Sequence, residues 1–94
     1  ILGGSFRPIT DAQKKQLNIN YGVEVMKVNS GALKDAGVSR GFIIQRINDN
    51  NINTIDDLQK VVKSASTSKD PVLYIQGVWP TGKKAYYAVP LQKD

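Results

Sequence analysis

The sequence contains neither cysteine nor histidine. Without thiols there is no disulfide framework and no thiolate metal site. Without imidazole, the commonest general base, nucleophile activator and metal ligand are missing together. Most hydrolytic mechanisms are excluded on that ground, and no cofactor or metal is expected. Long apolar runs are lacking too. None approaches the roughly 18–20 residues that cross a bilayer, so no membrane span is expected. The chain opens Ile1-Leu2-Gly3-Gly4, with neither an initiator Met nor a basic leader, so no signal peptide is visible and a segment cut from a longer protein is expected. What is present is ordinary for a folded domain: 94 residues, 40% hydrophobic and 22% charged, which argues for one domain and against disorder. A net charge of +5 permits an acidic partner, nucleic acid or an anionic surface, and demands none of them.

Periodicity and punctuation divide the chain into short elements. Ile1 to Phe6 is an apolar segment interrupted by Gly3-Gly4, and Arg7-Pro8-Ile9 is expected to end it. Paired glycines remove side chains and let another strand or a ligand come close. Thr10-Asp11-Ala12-Gln13 has the form of a capping box opening a short helix to about Leu17. Gly22 to Val28 alternates as a strand, with Val28 out of phase, which predicts a bulge or a half-buried end there. Ala32 to Ala36 makes a short helix stopped by Gly37. Gly41 to Asn48 is the densest β-branched run and is expected to be a strand. Asp49-Asn50-Asn51 is expected as a tight turn, with Ile52 briefly extended after it. Thr54 and Asp57 form a second capping box before a helix from about Ile55 to Ala65. Its apolar stripe is Ile55, Leu58, Val61, Val62 and Ala65. Pro71 to Trp79 and Lys84 to Leu91 form a hairpin around Pro80-Thr81-Gly82-Lys83, with Ala85, Tyr87, Val89 and Leu91 on one face. Together these predict a single α+β domain: five or six mostly antiparallel strands in a sheet or half-open barrel, closed by one main helix and a short one.

Few residues are placed for chemistry. Asp56 and Asp57 are neighbours on a helix, so their carboxylates diverge and serve the helix dipole rather than a shared substrate. Ser66, Ser68 and Lys69 sit in a polar loop, where a lysine stays solvated and protonated and activates no nucleophile. Asn48-Asp49-Asn50-Asn51 lacks the spacing and closing Glu of a calcium loop. Trp79, Lys83, Lys84, Tyr86 and Tyr87 gather aromatics and cations at one hairpin, as single-strand nucleic-acid sites do. A hairpin alternating core and surface side chains accounts for them more simply, and no nucleic acid is expected as a partner. The chain is therefore not expected to be an enzyme.

One ordered pattern remains: Gly22-Val23-Glu24-Val25-Met26-Lys27-Val28, Ser30-Gly31-Ala32, Ala36-Gly37-Val38, Gly41-Phe42-Ile43-Ile44, then Ile47-Asn48, Ile52 and a capped helix with Leu58 and Val62. It resembles a bacterial-type PDZ domain, most of all the second PDZ domain of HtrA/Deg serine proteases. The likeness runs from Leu2 to about Leu91, so residues 1–94 are taken as one such domain. The resemblance implies a peptide-binding module of a periplasmic or cell-envelope serine protease, whose catalytic machinery lies outside this chain. An extended substrate peptide or C-terminus would add as a strand beside the main helix, its carboxylate meeting a loop of backbone N–H groups. The matching positions are Leu2, Gly3, Gly4, Ser5 and Phe6 on the strand, and Leu58, Gln59 and Val62 on the helix. Alternatively, such domains hold protomers or neighbouring domains of the protease together. Two positions depart from the family's pattern. Gly4 stands where the loop usually has an apolar side chain, and Phe42 stands where an Asp is common.

Overall fold

The computed structural model describes residues 4–91. Along the chain these form β1 (Gly4–Pro8), α1 (Asp11–Leu17), β2 (Val23–Val28), α2 (Ala32–Ala36), β3 (Ile43–Ile47), β4 (Asn50–Asn51), α3 (Ile55–Ser66), β5 (Val72–Val78) and β6 (Lys84–Pro90). The strands make one antiparallel sheet in the order β1-β2-β3-β5-β6, with β4 paired to β3. β1 and β6 are its two margins and do not pair with each other, so the sheet is open and not closed into a barrel.

The two faces of the sheet differ. On the inner face Val23, Val25, Ile44, Ile47, Leu73, Ile75 and Val89 pack against Leu33 of α2 and Leu58 and Ala65 of α3. Phe42 and Ile52 complete this core, and neither is exposed. On the outer face Ile9, Ile43 and Val78 form a small second cluster beneath Leu17 and Ile19. Glu24 fastens this layer, its Oε1 accepting from Arg7 Nε and Gln13 Nε2, each at 3.1 Å. Among the described residues no polar or charged residue is buried, so apolar burial at about 25 cal/mol per Å² is the main stabilising term.

Local chemistry sets the element ends. Both capping boxes form: Thr10 Oγ1 accepts from Gln13 N at 3.2 Å and Thr54 Oγ1 from Asp57 N at 3.1 Å. The expected irregularity in β2 is also there. The register passes from Ser5↔Lys27 to Phe6↔Val25, which leaves Met26 unmatched and returns Val28 to the core side. Two expectations shift. β1 runs on through Arg7 and Pro8, because a proline without an N–H is tolerated on a marginal strand. The turn expected at Asp49-Asn50-Asn51 falls one residue earlier. Asn48 and Asp49 take left-handed angles, with φ of 50° and 68°, and Asn50–Asn51 is already a strand. Asn and Asp accept these angles at low cost because a short polar side chain compensates locally.

Asn48 also clamps the start of β5. Its backbone N–H donates to Tyr74 O at 3.1 Å. Its side chain accepts from Tyr74 N at 2.9 Å and donates to Val72 O at 3.3 Å. Asn48→Ala is expected to cost about 2–3 kcal/mol, from two lost hydrogen bonds and an unfavourable φ. Asn48→Gly keeps the angle and is expected to cost about half as much. Urea midpoints check the order, and equal losses would show that the left-handed angle costs alanine nothing.

Candidate functional site

β1 pairs with β2 on one side, and among the described residues no strand lies along its other side. α3 packs alongside β1, so a strand margin and a helix flank one lane. Of the sequence-predicted residues, Leu2 and Gly3 lie outside the described residues. Gly4, Ser5 and Phe6 are on β1, and Leu58, Gln59 and Val62 are on α3.

Alternation along β1 divides its side chains. Ser5 and Arg7 are exposed, while Phe6 is half-buried against the core. On α3, Leu58 is sealed at 0% exposure, Val62 is half-buried and Gln59 is exposed. Phe6 and Val62 thus both pack half-buried against the core cluster that contains Leu58, and Gln59 is exposed on the helix between them in sequence. Ile55, half-buried in the same core layer, lies four residues before Gln59 and seven before Val62, and helical spacing puts it on the same side. Arg7, on the same strand, pairs with Glu24 at 3.1 Å on the outer face.

Gly4 has a role that sequence reasoning did not foresee. A Cβ there would stand 3.0 Å from the Lys27 carbonyl oxygen, 3.2 Å from Phe6 Cζ and 3.5 Å from Leu33 Cδ1. The volume vacated by the missing side chain is thus bounded by the protein's own atoms, chiefly the Phe6 ring. Glycine lets Phe6 fold back over its own strand, and Leu33 bounds the same space. Leu33 carries no sequence signal beyond being apolar in a short helix, which is why sequence reasoning does not assign it to the site.

The other candidate groups are engaged locally. Asp56 pairs with Lys60 at 3.2 Å, and Asp57 accepts from the N–H groups of Asn53 and Thr54. The Ser66 and Ser68 hydroxyls donate to the carbonyls of Lys63 and Ala65 at 2.8 and 2.9 Å, so both finish the end of α3. The hairpin set divides. Trp79 and Tyr87 turn inward onto Phe42, with ring centroids 4.9 and 5.2 Å away, while Tyr86, Lys83 and Lys84 stay exposed. Among the described residues no cluster of three or more acidic side chains could hold a metal ion, and no helix is long and apolar enough to cross a membrane.

Comparison with known proteins gives two matches. A family model described as "PDZ-like domain" matches residues 1–67. The solved structure of the HtrA3 PDZ domain bound to a phage-derived ligand, FGRWV, superposes with a TM-score of 0.76 at 19% identity, covering 96% of this chain and 82% of that one. At that identity the likeness speaks for the fold. No curated protein matches the chain.

Proposed function

Because the chain belongs to the PDZ-like domain family, we propose that it is a peptide-binding module without catalysis of its own, taking an extended peptide along β1. The observation that carries this is the side of β1 away from β2, from Ser5 to Arg7, which has no strand along it among the described residues and runs beside α3, with Phe6 and Val62 each half-buried against the core. A peptide strand would pair its main chain with β1, and its apolar side chains would lie over Phe6 and Val62. Main-chain pairing supplies affinity, and these two side chains select the end residue. The order of motifs and the fold shared with the HtrA3 domain support a parent of HtrA/Deg type: an envelope serine protease that presents substrate peptides or C-termini through this domain. The competing assembly role uses the same lane against a neighbouring domain or protomer, and has no dependence on a free peptide carboxylate.

Titration with a peptide ending in a free Val carboxylate, followed by amide chemical shifts, tests the proposal. Shifts at Ser5, Phe6, Arg7, Gln59 and Val62 are expected, with a Kd on the order of micromolar. Amidating the peptide end is expected to weaken binding about tenfold, the worth of one charge-assisted bond. Absence of shifts along β1 at millimolar peptide overturns the proposal. Unchanged affinity on amidation removes the carboxylate from the mechanism.

A further inference from the structure

α1 and its following loop cover only part of the outer sheet face. Val78 and Ile43 are buried beneath them, but the stretch toward β6 is uncovered. There the register pairs Tyr74 with Ala88 and Gln76 with Tyr86. The two tyrosines therefore stand at diagonal corners, 56% and 70% exposed, around a mostly apolar hollow of about 360 Å³. A smaller notch of about 120 Å³ adjoins it, with Arg46, Lys84, Gln76 and Tyr86 in its wall and no carboxylate. Arg46 sits in the same cross-strand row as Gln76 and Tyr86. Its Nε is buried and donates to no acceptor, while its Nη2 donates to the Asp49 carbonyl at 3.3 Å. Its one ion-pair partner among the described residues, Asp49, is 3.7 Å away with a side chain 90% exposed.

We infer that this uncovered face is a second binding surface, separate from the β1 lane, for an acidic segment of another polypeptide. An apolar side chain of that segment sits between Tyr74 and Tyr86, and an adjacent carboxylate takes the exposed end of the Arg46 guanidinium and Lys84 Nζ. Two cations in a notch without a carboxylate call for an oxyanion, and the apolar hollow beside it calls for a side chain within a residue or two of that anion. A second copy of this chain is a poor occupant, because a two-fold contact would set Arg46 and Lys84 against their own kind. Single-stranded nucleic acid is disfavoured because Trp79 and Tyr87, which would extend a stacking platform, are turned into the core.

The test titrates the isotope-labelled chain with the hexapeptide Asp-Glu-Phe-Leu-Asp-Glu, acetylated and amidated so that no terminal carboxylate can enter the β1 lane. Amide shifts at Gln76, Tyr86 and Ala88, with none at Ser5 to Arg7, are expected. Lys84→Glu and Tyr86→Ser alter exposed side chains, so the fold should persist, and each is expected to weaken binding about tenfold. Replacing the acidic residues of the peptide by Asn and Gln is expected to abolish it. The inference is overturned by no shift on this face, by equal binding of the neutral peptide, by tighter binding of an oligothymidylate at the same residues, or by the same shifts arising from self-association of the chain alone. Failure of the β1 lane to bind peptide would leave these outcomes unchanged.

Discussion

Gly77→Ala is expected to be the most damaging single-methyl change in the domain. Gly77 lies on β5 opposite Ile44 of β3 and Ala85 of β6, in the middle of the sheet. A Cβ there would overlap the Ile43 carbonyl oxygen and come within 2.5 and 2.9 Å of Phe42 Cζ and Cε2. A side-chain end can swing away, but a carbonyl held in a ladder moves only with its strand. The expected loss is upward of about 3 kcal/mol, at the severe end of overpacking. Against the roughly 5–15 kcal/mol typical of native domains, that leaves little folded protein on warming. Gly82→Ala is the control. Gly82 has a φ of 91°, and beyond its chain neighbours no atom lies within 4 Å of where a Cβ would stand. Its cost is therefore the backbone angle alone, about 1–2 kcal/mol. Urea unfolding separates the two, and matching midpoints would mean that β3 yields freely to the added methyl.

Phe42→Ala is expected to cost about 4 kcal/mol, the usual range for a buried aromatic truncated to alanine. The ring is wholly buried. Trp79 packs on it at an interplanar angle of 56° and Tyr87 meets it edge-on at 89°, geometries that add stabilisation beyond area alone. Phe42→Leu retains much of the volume and is expected to cost about half as much. Phe42→Asp would bury a carboxylate among two aromatic rings and is expected not to fold. Because Trp79 is the single tryptophan, its fluorescence reports each transition directly. A loss below about 1 kcal/mol for Phe42→Ala would show that Trp79 and Tyr87 close the gap themselves. Removing the ring is not expected to rescue Gly77→Ala, since the tighter overlap there is with the Ile43 backbone.

Local features were the legible ones. Thr10 with Gln13 and Thr54 with Asp57 announce their helices because a capping box is complete within four residues. Gly37 marks the end of α2 because only its own backbone angle, φ of 99°, is at stake. The phase slip at Val28 betrayed the bulge in β2 because alternation is counted along one strand. Where the decisive contact comes from a distant part of the chain, the sequence is silent. Nothing near Gly77 shows that the Phe42 ring lies across it, and nothing near Gly4 shows that Lys27 and Leu33 bound the space beside it. The candidate site was legible as a strand and a helix face. Which of its helix positions remain reachable was not: Leu58 and Val62 look alike in the periodicity, yet one is sealed and the other is half open. The hairpin tyrosines were legible, since alternation along β6 sends Tyr87 inward with Ala85 and Val89 and Tyr86 outward.

The strand order sets β1 and β6 four strand intervals apart, roughly 19 Å at the usual spacing. Pro90 closes one end of β6 and exposed Lys84 marks the other, features that discourage edge-to-edge stacking of copies, whereas β1 is flanked by α3. Two guests approaching from opposite sides of the molecule would not collide, so the geometry suits a coupler that tethers one chain while another is held.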